Sequence, residues 1–410
     1  MHYRDYDPEK DRDAVYRILR EVGWLEPGKE HCFDLALDAD RTLVAEVGSS
    51  PECIVCTSPG SMRYLDEDLP FVEVTLLATS RIARRQGLAS RLLARALAMD
   101  VADGAIAARV CVFDQGYYDK VGFGPGPYEH RVSFDPAALK VNVKPRLPRR
   151  LTKDDFALVH ASRLSRIRSH GGVIYPSAAH TQIEMNFWSE KGFGLGYCDG
   201  PDGELTHHFC CNPSNAERGP YYIQWMAYQT GEQFLELMGL LHGLSDQVHL
   251  VQMREPYGIQ LQDLLDRPTR HHSITEGSRF ANRTSAYAFW NIRICDLAKC
   301  LERTHLPCGE LRFNLQLTDP VEHLLDEGAS WRGAAGEYVV TVGPSSHAEP
   351  GSDPSLPTLT ASVNAFSRMW FGVRPATGLS VTDRLAGPDS LLTQLDRAFL
   401  LPQPRPDWDF

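Results

Sequence analysis

A chain of 410 residues is long enough for two to four domains. Its 43% apolar and 23% charged residues suit a folded globular protein, and 42 basic against 53 acidic residues give a formal charge of −11, which argues against nucleic acid or an anionic membrane as main partner and is compatible with cationic substrates. No apolar run approaches the ~20 residues that span a bilayer, and Met1-His2-Tyr3-Arg4-Asp5-Tyr6-Asp7 holds no apolar signal core, so a cytoplasmic location is expected.

In chain order, the spacing predicts a short strand and a helix over 3–24, with Val15, Ile18, Leu19 and Val22 on one face, then a short helix over 33–37. Strands over 42–47 and 53–57 flank the turn Gly48-Ser49-Ser50-Pro51. The ten cysteines, without a secretion signal, read as reduced and mostly buried thiols. Cys53 and Cys56 have CxxC spacing but sit in an apolar strand-like run with no second pair, which reads as packing rather than metal or redox chemistry.

The stretch 69–104 is the one around which the rest is organised. Residues 71–79 are rich in β-branched and aromatic types, as a mostly buried strand requires. Arg84-Arg85-Gln86-Gly87-Leu88-Ala89 forms a basic turn, and Leu88, Leu92, Leu93, Ala96 and Leu97 then recur at helical spacing up to Asp103-Gly104. A strand feeding a glycine turn that opens a helix is a phosphate-binding arrangement, because unpaired N–H groups and the positive end of the helix dipole face the ligand. By itself the turn is equally a surface loop with two solvated arginines; the flanking strand and helix supply the context.

The pattern Arg84-x-x-Gly87-x-Ala89 resembles the pyrophosphate-cradling motif of the GNAT superfamily of acetyl-coenzyme-A-dependent N-acetyltransferases. A strand over 107–113 and a short helix over 114–124 follow, the order of the cofactor-binding half of such a domain. Within the second, Tyr118 stands four residues before Gly122-Phe123, where many members carry a tyrosine facing the sulfur of coenzyme A. A phenol, with a reference pKa of about 10, can protonate a leaving thiolate; the alternative is an aromatic core residue, a part better suited to Tyr117.

The basic, proline-punctuated run 144–150 marks a boundary. A helix capped at Thr152 follows, then strands over 192–198, 206–211 and 221–228, a helix over 233–244 and a strand over 248–252. This repeats the first order, but no Arg/Gln-x-x-Gly-x-Gly/Ala turn precedes the helix, so a second acetyl-coenzyme A site is not expected. His207, His208, Cys210 and Cys211 crowd metal donors together, yet adjacent strand residues point to opposite faces and cannot all reach one ion. From 289 onward come strands over 290–294, 311–317, 336–342 and 358–363, a helix over 365–372 and a final helix over 388–399, an order that resembles the sterol-carrier-protein-like domain.

Two acetyltransferase-like halves and a sterol-carrier-like domain resemble the enhanced intracellular survival (Eis) family, through residues 84–91, 116–124, 391–399 and the final Trp408-Asp409-Phe410. The resemblance implies a mixed α/β fold in three segments: a catalytic GNAT domain over 1–144, a degenerate GNAT-like domain over 145–288, and a sterol-carrier-like domain over 289–410 whose C-terminus folds into the first domain's site. It implies acetyl-coenzyme A as co-substrate and no metal. Leu77, Ala78 and Thr79 would lie along the pantetheine, Arg84, Arg85, Gln86, Gly87, Leu88, Ala89 and Ser90 would hold the pyrophosphate, and Phe113 and Asp114 would stand beside the thioester. Tyr118 would be the acid and the terminal carboxylate of Phe410 the base. The family's hexamer and its small cationic acceptors, aminoglycosides among them, are implied in the same way. The region 22–41 is short and carries Trp24, His31, Cys32 and Phe33, so the acceptor does not carry over. A protein amine as acceptor, or a non-catalytic module binding an apolar ligand, are the alternatives.

Overall fold

The structure, a computed structural model, describes residues 2–111, 116–268 and 277–408. The chain forms two compact units: Met1–Pro127, His170–Tyr175 and Ala288–Phe410 make the first, and Tyr128–Ser169 with Pro176–Tyr287 the second.

In the first unit β1 (His2–Asp5), β2 (Arg41–Val47), β3 (Ser50–Tyr64), β4 (Glu67–Thr79) and β5 (Ala107–Cys111) lie side by side in chain order. Trp290–Ile294 continues this sheet antiparallel to β5, Gly124–Pro125 follows it, and Val173–Ile174 pairs with Met62 and Ser61 of β3. Among the described residues the sheet therefore has eight strands. The pairing of 290–294 with β5 joins residues expected in the last segment to the first sheet. β3 is also far longer than the predicted 53–57. Pro59-Gly60 reads as a breaker, but the β3–β4 hairpin carries both in register, Pro59 opposite Val72 and Gly60 opposite Phe71.

The first helices and α3 form where the spacing predicts. α1 (Pro8–Glu21) starts at Asp7, whose carboxylate accepts from the Glu9 N–H, with Pro8 in the first turn. α2 (Glu30–Ala39) is longer than expected, and α3 (Leu88–Ala102) buries Leu88, Leu92, Leu93, Ala96 and Leu97, each at most 1% exposed. At ~2 kcal/mol per buried leucine, that face contributes roughly 8 kcal/mol toward holding α3 on the sheet. No helix among the described residues is long and apolar enough to cross a membrane.

Among the described residues, the rest of the first unit includes a five-stranded sheet in the order His347–Pro350, Gly336–Val342, Leu311–Thr318, Thr358–Ser362, Leu385–Ala386, with helices Leu297–Glu302, Val363–Trp370, Ala376–Thr382 and Asp389–Ala398. The segment His170–Tyr175 is built into this unit. His170 is buried, its Nδ1 accepting from the Leu65 N–H (3.1 Å) and its Nε2–H donating to the Phe371 carbonyl (3.0 Å). Burial pushes its pKa down to about 4, partly countered by the bond to Phe371. The unfolded chain, with histidine near 6.5, binds the proton first, so this contribution is complete above pH 6.5 and declines as pH falls toward 4. We expect a loss of about 3 kcal/mol over that range, read from urea unfolding at pH 7 and pH 4.5. An identical pH slope in His170→Asn would contradict it.

In the second unit seven strands among the described residues run Arg283–Tyr287, Glu129–Phe134, Val251–Arg254, Tyr221–Ala227, His207–Pro213, Phe193–Tyr197, Arg149–Leu151. Tyr221–Ala227 and Val251–Arg254 are parallel and joined through the helix Gly231–Gly243, repeating the β4–α3–β5 crossover. Here, however, the Thr230 side chain caps the helix by accepting from the Gln233 N–H. His207 and His208 face opposite ways. His207 meets Glu236 (3.2 Å), and His208 bonds Ser162 (3.0 Å) and accepts from the Trp225 ring N–H (3.2 Å). The donor atoms of Asp199, His207 and Glu236 lie within 4.8 Å of one another, but the Arg146 guanidinium pairs with both carboxylates.

Candidate active site

β4 and β5 pair in parallel only from Phe71 with Ala107 to Val74 with Val110. On its other side β4 follows β3 to its end, with a bulge at Thr75 between the pairs Thr57–Val74 and Cys56–Leu76. Among the described residues, the β5-facing edge of β4 has no ladder partner beyond Val74. Leu77, Ala78 and Thr79 lie on this stretch, their other edge paired with Val55, Ile54 and Cys53.

The basic turn follows directly. After a single 3-10 turn, Arg81–Ala83, the chain passes Arg85 at φ 62° and Gly87 at φ 75° before α3 begins. Gly87 suits this left-handed position at the helix N-cap, and no side chain caps the amides of α3. Arg84, Arg85, Gln86 and Gly87 are exposed, while Leu88 and Ser90 are buried and Ala89 half-buried. Neither arginine pairs with a carboxylate among the described residues. Among the described residues, the α3 N-terminus is thus electropositive and meets no side-chain cap, unlike its counterpart capped by Thr230.

Tyr118 opens a 3-10 turn, Tyr118–Val121, rather than the longer helix predicted over 114–124. Its ring is buried, edge-on to Tyr117 (5.2 Å) and to Phe123 (6.0 Å). Tyr117 Oη lies 3.4 Å from Ser90 Oγ, which links this turn to α3. Two side chains from the last third of the sequence clamp the turn: Asn364 donates to the carbonyls of Asp119 (3.1 Å) and Phe123 (2.7 Å), and the buried Arg293 donates to the Val121 carbonyl. Arg293 is held by Asp319 at 2.6 Å. Tyr118 and Leu88 share one apolar cluster, with Leu77, Ala89 and Tyr117 packed against it. The structure thus gathers residues from β4, the basic turn and the Tyr118 turn, whereas Ala78 faces the other side of the sheet. Phe113, Asp114 and Phe410 lie outside the described residues.

Cys53 and Cys56 are buried free thiols that accept from Thr79 (3.2 Å) and contact Thr42 (3.3 Å), and burial pushes Cys53 up to about 11. Both are therefore protonated at neutral pH and unsuited to nucleophilic work.

Glu73 and Arg109, to which the motifs assign no role, form a fully buried ion pair at 2.5 Å facing each other across the β4–β5 ladder. The signal was present: each is the one charged residue in an otherwise apolar strand stretch. Burial opposes the Arg109 charge, yet Glu73 outweighs it and the guanidinium stays well above its usual range.

No family model and no curated protein matches the chain. Among solved structures it is similar to a protein of Enterococcus faecalis V583 described as a probable N-acyltransferase, with a TM-score of 0.80 at 16% identity over 100% of this chain and 99% of that one. It is similar also to a GCN5-related N-acetyltransferase of Anabaena variabilis, with a TM-score of 0.77 at 14% identity over 98% of both chains. The fold is that of the GCN5-related N-acetyltransferases. Eis1 of Mycobacterium abscessus is a further full-length match, with a TM-score of 0.76 at 14% identity over 100% of both chains. On this GNAT fold, which spans the whole chain in these comparisons, the open β4 edge, the basic turn and Tyr118 fall in the first unit.

Proposed function

We propose that the protein is an acetyl-coenzyme-A-dependent N-acetyltransferase acting on a primary amine of a small cationic acceptor. One observation carries the reading: among the described residues, an end of β4 without a partner on its β5 side leads into a helix N-terminus that no side chain caps, flanked by two arginines that pair with no carboxylate, beside a buried tyrosine. The residues fit the co-substrate. Amides from Arg85 to Ser90, with the Arg84 and Arg85 guanidiniums, suit a pyrophosphate, and the free edge at Leu77, Ala78 and Thr79 suits the amide-bearing pantetheine. Phe113 and Asp114 complete the assignment beside the thioester.

Acetyl-coenzyme A supplies the acetyl group as a thioester. The Phe410 carboxylate takes a proton from the acceptor ammonium, directly or through water, and the freed amine attacks the carbonyl carbon. β4 amides stabilise the charge that develops on the carbonyl oxygen. As the tetrahedral adduct collapses, Tyr118 gives its phenolic proton to the departing thiolate, and the second proton shed by the nitrogen returns through solvent to the phenolate, so that the C–N bond forms, the C–S bond breaks and no acyl-enzyme arises. The formal charge of −11 favours a cationic acceptor. By the same resemblance, the three segments 1–144, 145–288 and 289–410 serve as catalytic GNAT domain, degenerate GNAT-like domain and sterol-carrier-like domain, in a hexamer. The Thr230 cap supports the degenerate reading of the second, because it occupies the helix end that a pyrophosphate would need.

The test is calorimetric titration of coenzyme A. Arg84→Ala/Arg85→Ala should weaken binding at least about tenfold, and added salt should weaken native binding more than the variant's. Equal affinity in both would remove the pyrophosphate assignment.

A further inference from the structure

The chain end runs into the first unit in an ordered way. Pro404, Pro406 and Trp408 are buried while Arg405 and Asp407 are half-buried, the alternation of an extended segment with one face inward. The Arg405 N–H donates to the His170 carbonyl at 2.8 Å, and the Trp408 ring stands edge-on to Tyr175 at 5.3 Å. Arg109 reaches the tail from the sheet centre: its Nη2 donates to the Trp408 carbonyl at 2.7 Å and to the Tyr175 hydroxyl at 3.0 Å, while Nε donates to Glu73 at 2.5 Å. Tyr175 closes the circuit by donating to Glu73 at 3.1 Å.

We propose that Arg109, oriented by Glu73 and Tyr175, is a latch that grips the Trp408 carbonyl and so holds residues 404–408 in register on the first unit. The inference deepens the proposed function and rests on its assignment of the base to Phe410. Three features carry it. A buried ion pair is a weak source of stability compared with an apolar pair of the same volume, and its best-attested use is to fix register. This one does not close on itself, because Nη2 is directed to a backbone carbonyl 299 residues away in sequence. Its place is also telling, since Glu73 and Arg109 form the rung next to Val74–Val110, the last β4–β5 rung. The latch thus holds the tail beside the point where the open β4 edge begins. Glu73, Arg109 and Tyr175 act through the tail and are positioning residues.

The experiment compares the full chain with Tyr175→Phe and with Glu73→Leu/Arg109→Met, which removes both charges together. Hydrogen exchange over 401–408 should rise about tenfold or more in the double variant, and kcat should fall about tenfold with the KM for acetyl-coenzyme A unchanged. Tyr175→Phe, which keeps the ring against Trp408, should show the same changes more weakly. Each variant is then combined with deletion of Phe410. In the deleted background the latch substitutions should lower kcat no further, because they act only through the missing residue, whereas a structural effect would add. Unchanged exchange over 401–408, or additive losses, would overturn the latch. If deleting Phe410 leaves kcat intact, it is the base assignment that fails, and the exchange measurement still decides the latch.

Discussion

Gly122→Ala is expected to destabilise the first unit by about 3–5 kcal/mol and to abolish acetyl transfer. Gly122 has φ 83°, a conformation that costs an alanine roughly 1–2 kcal/mol. Space is the larger obstacle: an added Cβ would stand 2.8 Å from Arg293 Nη1 and 2.8 Å from Val363 Cγ1. Arg293 cannot retreat, since it is fully buried between Asp319 and the Val121 carbonyl. Moving it loosens the turn that carries Tyr118, whose carbonyl accepts from the Phe123 N–H at 3.2 Å. Urea unfolding measures the loss; a midpoint within error of the native protein would show that this packing is not needed.

Tyr118→Phe is expected to lower kcat about 100-fold while leaving the affinity for coenzyme A unchanged. Phenylalanine keeps the ring against Tyr117 and Phe123 and removes the proton that the thiolate needs. A kcat within about threefold of native would make Tyr118 the core aromatic that the sequence left as the alternative.

These two residues show how far the sequence could be read. The Tyr118–Gly122–Phe123 spacing and the 69–104 strand, turn and helix are local patterns, and local periodicity reports them directly. What holds Tyr118 in place is not local: Arg293 and Asn364 arrive from far along the chain, and nothing in their surroundings announces the Val121 or Phe123 carbonyl. The same applies to Trp290–Ile294, legible as a strand but not as a partner of β5. Pro59-Gly60 shows the opposite failure, a local breaker signal overridden by pairing along the length of a hairpin. Glu73 and Arg109 lay between these cases, since a single charge in each of two apolar strands points to a facing pair once their adjacency is known.

The central claim is acetyl transfer to an amine, with the proton taken by the chain end. Thiol release from acetyl-coenzyme A, followed across a panel of polyamines and aminoglycosides with the native chain and with one lacking Phe410, tests it most directly. The account predicts release that depends on an amine in the native protein and falls at least about 100-fold without Phe410. No release with any amine, or equal release from both chains, would contradict it.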